Sequence, residues 1–210
     1  MKNVIFFGLI AFFSTITSVK VFAAGDPARG KARYALCQAC HGANGMGNKA
    51  LNSPKIAGQE PWYLERQLKN FKAGIRGANP NDKYGMQMRP MALTLSDEQS
   101  VRDMSAYVSS MPVKRNIVKT IKGDLEEGKA IYVVCQACHG LTGEGNKTLN
   151  SPRLAGLQDW YLVRQLKNFK SGIRGKKRDD IFGMQMRPMA MSLENDEAIN
   201  NVAAYIASFK

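Results

Sequence analysis

An all-α fold, built from one unit repeated in tandem, follows from three observations. The stretch beginning at Gly25 maps onto the stretch beginning at Gly123 at a constant offset of 98 residues, without a gap. Within each copy the apolar residues recur at helical spacing, and no run alternates as a half-buried strand does. Helix start and stop signals stand at matched places in both copies. Two copies at so long a period make a domain duplication, not a solenoid. The units are 24–111 and 123–210, joined by a polar, basic linker at 112–122 around Ile117 and Val118.

Residues 1–23 read as a segment outside the fold. Met1-Lys2-Asn3 supplies a charged start, Val4 to Val21 is mostly apolar, and Val21-Phe22-Ala23 ends in small residues. This is the pattern of a secretory signal peptide cleaved after Ala23, with Ala24 the next choice. The run is also near the length of a spanning helix, so a retained anchor is the alternative. No later stretch is apolar enough to cross a bilayer. Formal net charge is +13, and loss of Lys2 and Lys20 with the leader takes it to +11. Such a balance suits acidic partners or anionic lipid, or simply a solvated surface. Nucleic acid is the usual reading of a high pI, but export argues against it.

In the first unit, Asp26-Pro27 opens a helix with an N-cap acid and Pro at the first helical position. Gly30, repeated as Gly128, lies inside that helix. It reads as a close approach by a second helix, or as mere tolerance. Pro61 to Ala73 forms the next helix, with a stripe of Leu64, Leu68 and Phe71 and a stop at Gly74. Ser96-Asp97-Glu98-Gln99 opens the last helix as a capping box. Its copy lacks the Ser at Glu194, so the cap there is expected to move to Asn195. The stretch around Met86, Met88 and Met91 reads as a loop broken by Gly85 and Pro90.

The chemistry is carried by Cys37-Gln38-Ala39-Cys40-His41, repeated as Cys135-Gln136-Ala137-Cys138-His139. Cys-x-x-Cys-His is the attachment pattern of c-type haem. On one helical turn two thiols three apart face the same way and can reach both vinyl groups of a porphyrin. The following imidazole then serves as an axial iron ligand. A redox dithiol, a zinc half-site and a disulfide are the alternatives. All four Cys lie in the two motifs, and both His directly follow the second Cys. A four-thiolate zinc site would leave both His unexplained. The reading is therefore two covalently attached haem c groups, on Cys37 and Cys40 and on Cys135 and Cys138, with His41 and His139 as iron ligands. Each unit is under 100 residues, which is marginal for a protein-only core, so the haem-free chain is expected to be largely unfolded.

A proximal His normally donates its second ring N–H to a carbonyl or carboxylate. Pro54 and Pro152 are candidates to offer that carbonyl, or are simple loop prolines. Trp62 and Tyr63 read either as donors to a haem propionate or as core packing. Arg76 and Arg174 read either as propionate partners or as exposed charge. With no third His, a thioether remains for the opposite face of each iron. Three of the Met positions survive the requirement of a Met in both copies: Met86/Met184, Met88/Met186 and Met91/Met189.

The order Cys-x-x-Cys-His, Ser-Pro-Lys-Ile-Ala-Gly, Tyr-Leu-x-x-Gln-Leu, Met-x-Pro-Met and Leu-Ser-Asp resembles class I cytochromes c. Duplicated in an exported chain of this size, it is similar to the cytochrome c4 family, over the whole mature length. The resemblance implies two cytochrome c domains related by a pseudo-twofold axis, with propionate edges near their interface. It implies Met88 and Met186 as the iron-bound thioethers, with Met91 and Met189 as neighbours. It implies a periplasmic electron carrier, not an enzyme, exchanging electrons with respiratory complexes such as a terminal oxidase. The expected partners are membrane oxidases or reductases with acidic docking patches, with peripheral membrane association possible on charge grounds. The alternatives are a haem subunit of a flavocytochrome or dehydrogenase complex and, further off, a two-haem peroxidase.

Overall fold

The computed structural model describes residues 24–113 and 119–209. Residues 1–23, where a signal peptide is expected, and 114–118 at the centre of the expected linker lie outside the described residues. Among the described residues there are nine helices and no strand, with two isolated bridges, Asn48 to Ser53 and Asn146 to Ser151.

The first helix, α1 (Pro27–Arg33), starts as its sequence requires: the Asp26 carboxylate accepts from the Ala28 and Arg29 N–H groups. A tight turn at Tyr34, whose N–H bonds the Lys31 carbonyl, separates it from α2 (Ala35–His41). The second unit spans both with one continuous helix, α6 (Leu125–His139). Nothing in the local sequence explains that difference. α3 (Pro61–Lys72) and its copy α7 (Asp159–Lys170) follow.

The methionine segments are helical, α4 (Lys83–Leu93) and α8 (Ile181–Met191), where a loop was expected. The reason lies one residue upstream. Asp82 caps α4 by accepting from Gly85 N–H at 3.0 Å, and Asp180 caps α8 from Gly183 at 3.1 Å. With the start fixed, Pro90 or Pro188 removes one backbone bond near the far end without ending the helix.

The last helices are α5 (Glu98–Ser110) and α9 (Asp196–Ile206). The capping box of α5 is Asp97 with Ser100, one residue on from the expected Ser96 and Gln99. Asp97 holds the extended cap conformation, and its side chain reaches the Ser100 N–H while the Ser100 hydroxyl answers. In the second unit the cap is Asn195, as expected, accepting from Ala198 N–H.

α1 crosses α5 at Gly30, where a Cβ would sit 2.1 Å from the Asp103 carbonyl oxygen. Gly128 meets Asn201 on α9 in the same way, at 2.2 Å. The repeated glycine is thus a helix-crossing point. Each core lies under this crossing. In the first unit it is Tyr34, Leu95, Val101, Met104 and Val108; in the second, Tyr132, Leu162, Ile199, Val202 and Ile206.

Several of the contacts between the two units come in exchanged pairs. The Arg66 guanidinium bonds Asn150 and lies 4.4 Å over the Phe182 ring, while Arg164 bonds Asn52 and lies 4.0 Å over Tyr84. Arg76 reaches Gln165 and Arg174 reaches Gln67. Lys55 N–H donates to Gln158, and Arg153 N–H donates to Glu60. Shifting each residue by the repeat length turns each of these contacts into its mate. This is the self-complementary pattern of a twofold interface, here inside one chain.

Candidate functional site

A single cavity of about 610 Å³ opens between the units and is lined by both of them. Cys37, Cys40 and His41 contribute to it from the end of α2, and Cys135, Cys138 and His139 from the end of α6. The ends of these helices are fixed by a tyrosine in each unit. Tyr34 donates to the Gly42 carbonyl, and Tyr132 to the Gly140 carbonyl, both at 2.8 Å. Gly42 and Gly140 hold positive φ, which lets the chain turn sharply away once the histidine has been presented.

Both histidines are buried. His41 Nδ1 lies 2.8 Å from the Pro54 carbonyl oxygen, and His139 Nδ1 lies 2.8 Å from that of Pro152. A carbonyl only accepts, so Nδ1 carries the proton and Nε2 keeps its lone pair. Burial pushes both imidazoles below their ordinary pKa, with the carbonyl bond working weakly against it. Each ring is therefore a neutral imidazole in a fixed tautomer, the form in which a histidine binds iron. The expectation for Pro54 and Pro152 thus matches the geometry.

Burial also raises the Cys37 thiol, and raises that of Cys135 to about 11. As free thiols they are protonated at neutral pH and react slowly. Among the described residues no three His, Cys, Asp or Glu side chains gather closely enough to hold a metal ion by themselves. This removes the four-thiolate zinc alternative.

The methionines divide by face of their helix. Met88 and Met91 line the cavity from α4, and Met186 and Met189 from α8. Met86 and Met184 do not, and are 43% and 46% exposed. Of the two cavity pairs, Met88 and Met186 are half-buried, while Met91 and Met189 are exposed. Sequence pattern alone left all three pairs open, because the helix that separates their faces was not recognised.

Tyr63 and Tyr161 line the cavity, but Trp62 and Trp160 do not. Trp62 instead packs edge-on to Tyr63 and lies 5.0 Å from the Arg66 guanidinium. Arg76 and Arg174 are buried, not exposed as the alternative reading had it. Each donates to a glutamine of its own unit, Gln67 and Gln165. Burial first, and then the neighbouring Arg174, work against the charge on Arg76. The Nε atoms of Arg66, Arg76 and Arg174 are buried without a hydrogen-bond partner. Buried cations with unused donors beside an apolar cavity fit a bulky apolar group with an anionic edge. Leu64, Leu68, Phe71, Met104 and Val108 supply the apolar wall in the first unit. The donor set, the apolar lining and the cationic rim together fit a haem in each unit. Sequence reasoning missed Arg66, Arg164, Asn52 and Asn150 as the clamp between the units. Their signal was present, since all four lie in stretches that the two copies share.

The family profile of cytochrome c matches residues 27–112 and again 125–210. The chain is 34% identical over 195 residues to cytochrome c4 of Azotobacter vinelandii, covering 88% of this chain and 89% of that one. It is 31% identical over 183 residues to a thiosulfate dehydrogenase electron acceptor of Stutzerimonas stutzeri, covering 82% and 78%. Among solved structures, reduced cytochrome c4 from Pseudomonas stutzeri superposes with a TM-score of 0.71 at 30% identity, over 89% of this chain and all of that one. With the duplicated attachment motif and the exchanged interface contacts, these similarities make the chain a member of the cytochrome c4 family, tandem electron-transfer cytochromes c with two covalently attached haem c groups.

Proposed function

We propose that the chain is a periplasmic carrier of single electrons between respiratory complexes, for example toward a terminal oxidase. His41 with Met88, and His139 with Met186, are the residues that would hold the two haem irons. The observation that carries this is that each unit places a neutral buried His and a half-buried Met, at matched positions, on the wall of the shared cavity. Haem iron supplies one-electron chemistry, cycling between Fe(III) and Fe(II). The residues do the rest. Pro54 and Pro152 hold the imidazole tautomer, and a thioether ligand raises the potential. The apolar wall excludes water, and the buried arginines balance propionate charge. With a histidine and a methionine both serving as ligands, a haem here would have no iron position free for a substrate, as a peroxidase requires.

The export leader and the basic surface support a periplasmic partner with an acidic docking patch, at a membrane complex or with the chain itself resting on the membrane. Kinship with electron acceptors of thiosulfate dehydrogenase favours a second reading, in which a dehydrogenase delivers the electrons. The ligand assignment is tested by the far-red absorbance band of methionine-bound Fe(III) haem in the oxidised protein. Met88→Ala and Met186→Ala are each expected to remove about half of it, one haem of two. Loss of the band in Met91→Ala with Met88→Ala unchanged would overturn the assignment.

A further inference from the structure

The outer face of α8 is apolar along its length. Ile181, Met184, Pro188 and Met191 stand at i, i+3, i+7 and i+10, so they form one stripe. Ile181 is 62% exposed and Met191 51%. The opposite face of the same helix carries Met186 and Met189 into the cavity. No acidic residue lies on α8. Directly before it comes the exposed sequence Lys176-Lys177-Arg178-Asp179. Lys177 Nζ donates to the Gly74 carbonyl, which ties this loop to the first unit. Asp180 is turned inward, accepting from the Gly175 and Gly183 N–H groups, so Asp179 is the only carboxylate of the loop that faces solvent among these residues.

The first unit repeats this surface only in part: Met86, Pro90 and Leu93 hold three of the four stripe positions on α4. Ile181 corresponds to Lys83, and Lys176-Lys177-Arg178-Asp179 corresponds to Ala78-Asn79-Pro80-Asn81. The two units are otherwise matched closely enough to build a twofold interface. The departures therefore complete the apolar stripe with Ile181 and place a cationic rim beside it on the second unit alone. An apolar centre with a charged rim is the anatomy of a transient protein interface.

We propose that the α8 face is where the second unit docks its redox partner, a protein whose own docking face has an apolar centre ringed by carboxylates. The proposal rests on the carrier reading above. Charge complementarity with Lys176 and Arg178 steers the encounter, and the stripe supplies the dry contact. A docked protein would lie one helix width, about 10 Å, from the cavity side of α8. That proximity serves electron transfer, and a lipid surface has no use for it.

The test uses the haem-loaded, reduced protein oxidised by washed membranes of the producing organism, with ferricyanide as a small oxidant in parallel. Ile181→Asn with Met184→Gln is expected to lower kcat/KM on membranes about tenfold, mainly through KM. A comparable pair of changes on the α4 stripe of the first unit, Met86→Gln with Leu93→Asn, is expected to stay within about twofold. Ferricyanide rates should be unchanged in both. Lys176→Gln with Arg178→Gln should flatten the fall of the membrane rate with salt. Equal losses from the two units, or no loss from the second, would overturn the docking face. A loss on membranes that vanishes with the detergent-solubilised oxidase would assign the stripe to lipid and overturn the protein partner. A wild-type protein that ferricyanide cannot oxidise would instead defeat the carrier reading.

Discussion

Arg66 donates two hydrogen bonds to Asn150 across the boundary between the units, from Nη1 to Oδ1 at 3.3 Å and from Nη2 to the main-chain oxygen at 2.8 Å. Arg164 treats Asn52 in the same way. Asn52 and Asn150 both hold φ of 56°, a left-handed conformation that asparagine tolerates better than most residues. The turn aims the carbonyl and the amide oxygen at one guanidinium, which matches its forked donors.

These paired clamps are expected to make the two units melt as one. Hydrogen bonds to charged groups contribute about 1.5–3 kcal/mol each. Arg66→Ala with Arg164→Ala removes both clamps and leaves each haem pocket's own His and Met in place. Calorimetry of the haem-loaded protein should then resolve two transitions where the parent has one. A single unshifted transition in the double variant would show that the clamps contribute nothing to coupling.

Asp103 is expected to make the first unit more sensitive to acid than the second. Its buried carboxylate accepts from Arg29 Nε at 2.8 Å, from the Asp26 N–H and from Gln99. The bond from Arg29 is foremost in holding its pKa well below the usual carboxylate range. A pKa depressed on folding gives stability that is complete above the unfolded value, about 3.9, and is lost as pH falls from there through the folded value. The matched residue in the second unit is Asn201, which accepts from the Asp124 N–H and cannot titrate. In the Arg66→Ala, Arg164→Ala background, where the two units are expected to unfold separately, the denaturant midpoint of the first unit should therefore fall further between pH 6 and pH 3. Asp103→Asn should flatten that fall at a modest cost in stability at pH 6, since Arg29 is half-exposed. A first unit whose acid sensitivity survives Asp103→Asn would place the titrating group elsewhere.

What could be read without coordinates was local. Asp26, Asn195, Gly30 and the two Cys-x-x-Cys-His motifs each declare their role within a few residues of chain. The repeat doubled most of these signals, and the need of a proximal His for a carbonyl partner pointed to Pro54 and Pro152, which the structure places 2.8 Å from His41 and His139. The Met86 segment was misread for a physical reason. Gly85 and Pro90 are breakers by propensity, but the Asp82 cap overrides them, and propensity arguments do not weigh a cap against a breaker. The interface was out of reach because Arg66 and Asn150 lie 84 residues apart, and no periodicity links residues on facing surfaces. The burial of Arg76 and Arg174 was hidden likewise, since it depends on the second unit covering the first.

Loss of one haem is expected to unfold its own unit. The buried core of the first unit is supplied mainly by α5 and the chain beside it, through Val101, Met104 and Val108. From α3, Leu64 and Leu68 are only partly buried against that core, and both also line the cavity. Fully burying a side chain of this kind contributes roughly 1.5–3 kcal/mol, so a haem lying on these residues supplies a stabilisation that a unit of this size cannot spare. Cys37→Ser with Cys40→Ser prevents attachment in the first unit and leaves Cys135 and Cys138 intact. The far-ultraviolet circular dichroism of that variant should lose about half its helical signal, one unit of two, while the haem absorbance of the second unit persists. Cobinding of the units works against this outcome, because the Arg164 bonds to Asn52 hold part of the first unit to a folded second one. Retention of most of the helical signal, with a cooperative melt for the haem-free unit, would mean that the polypeptide core and the interface suffice.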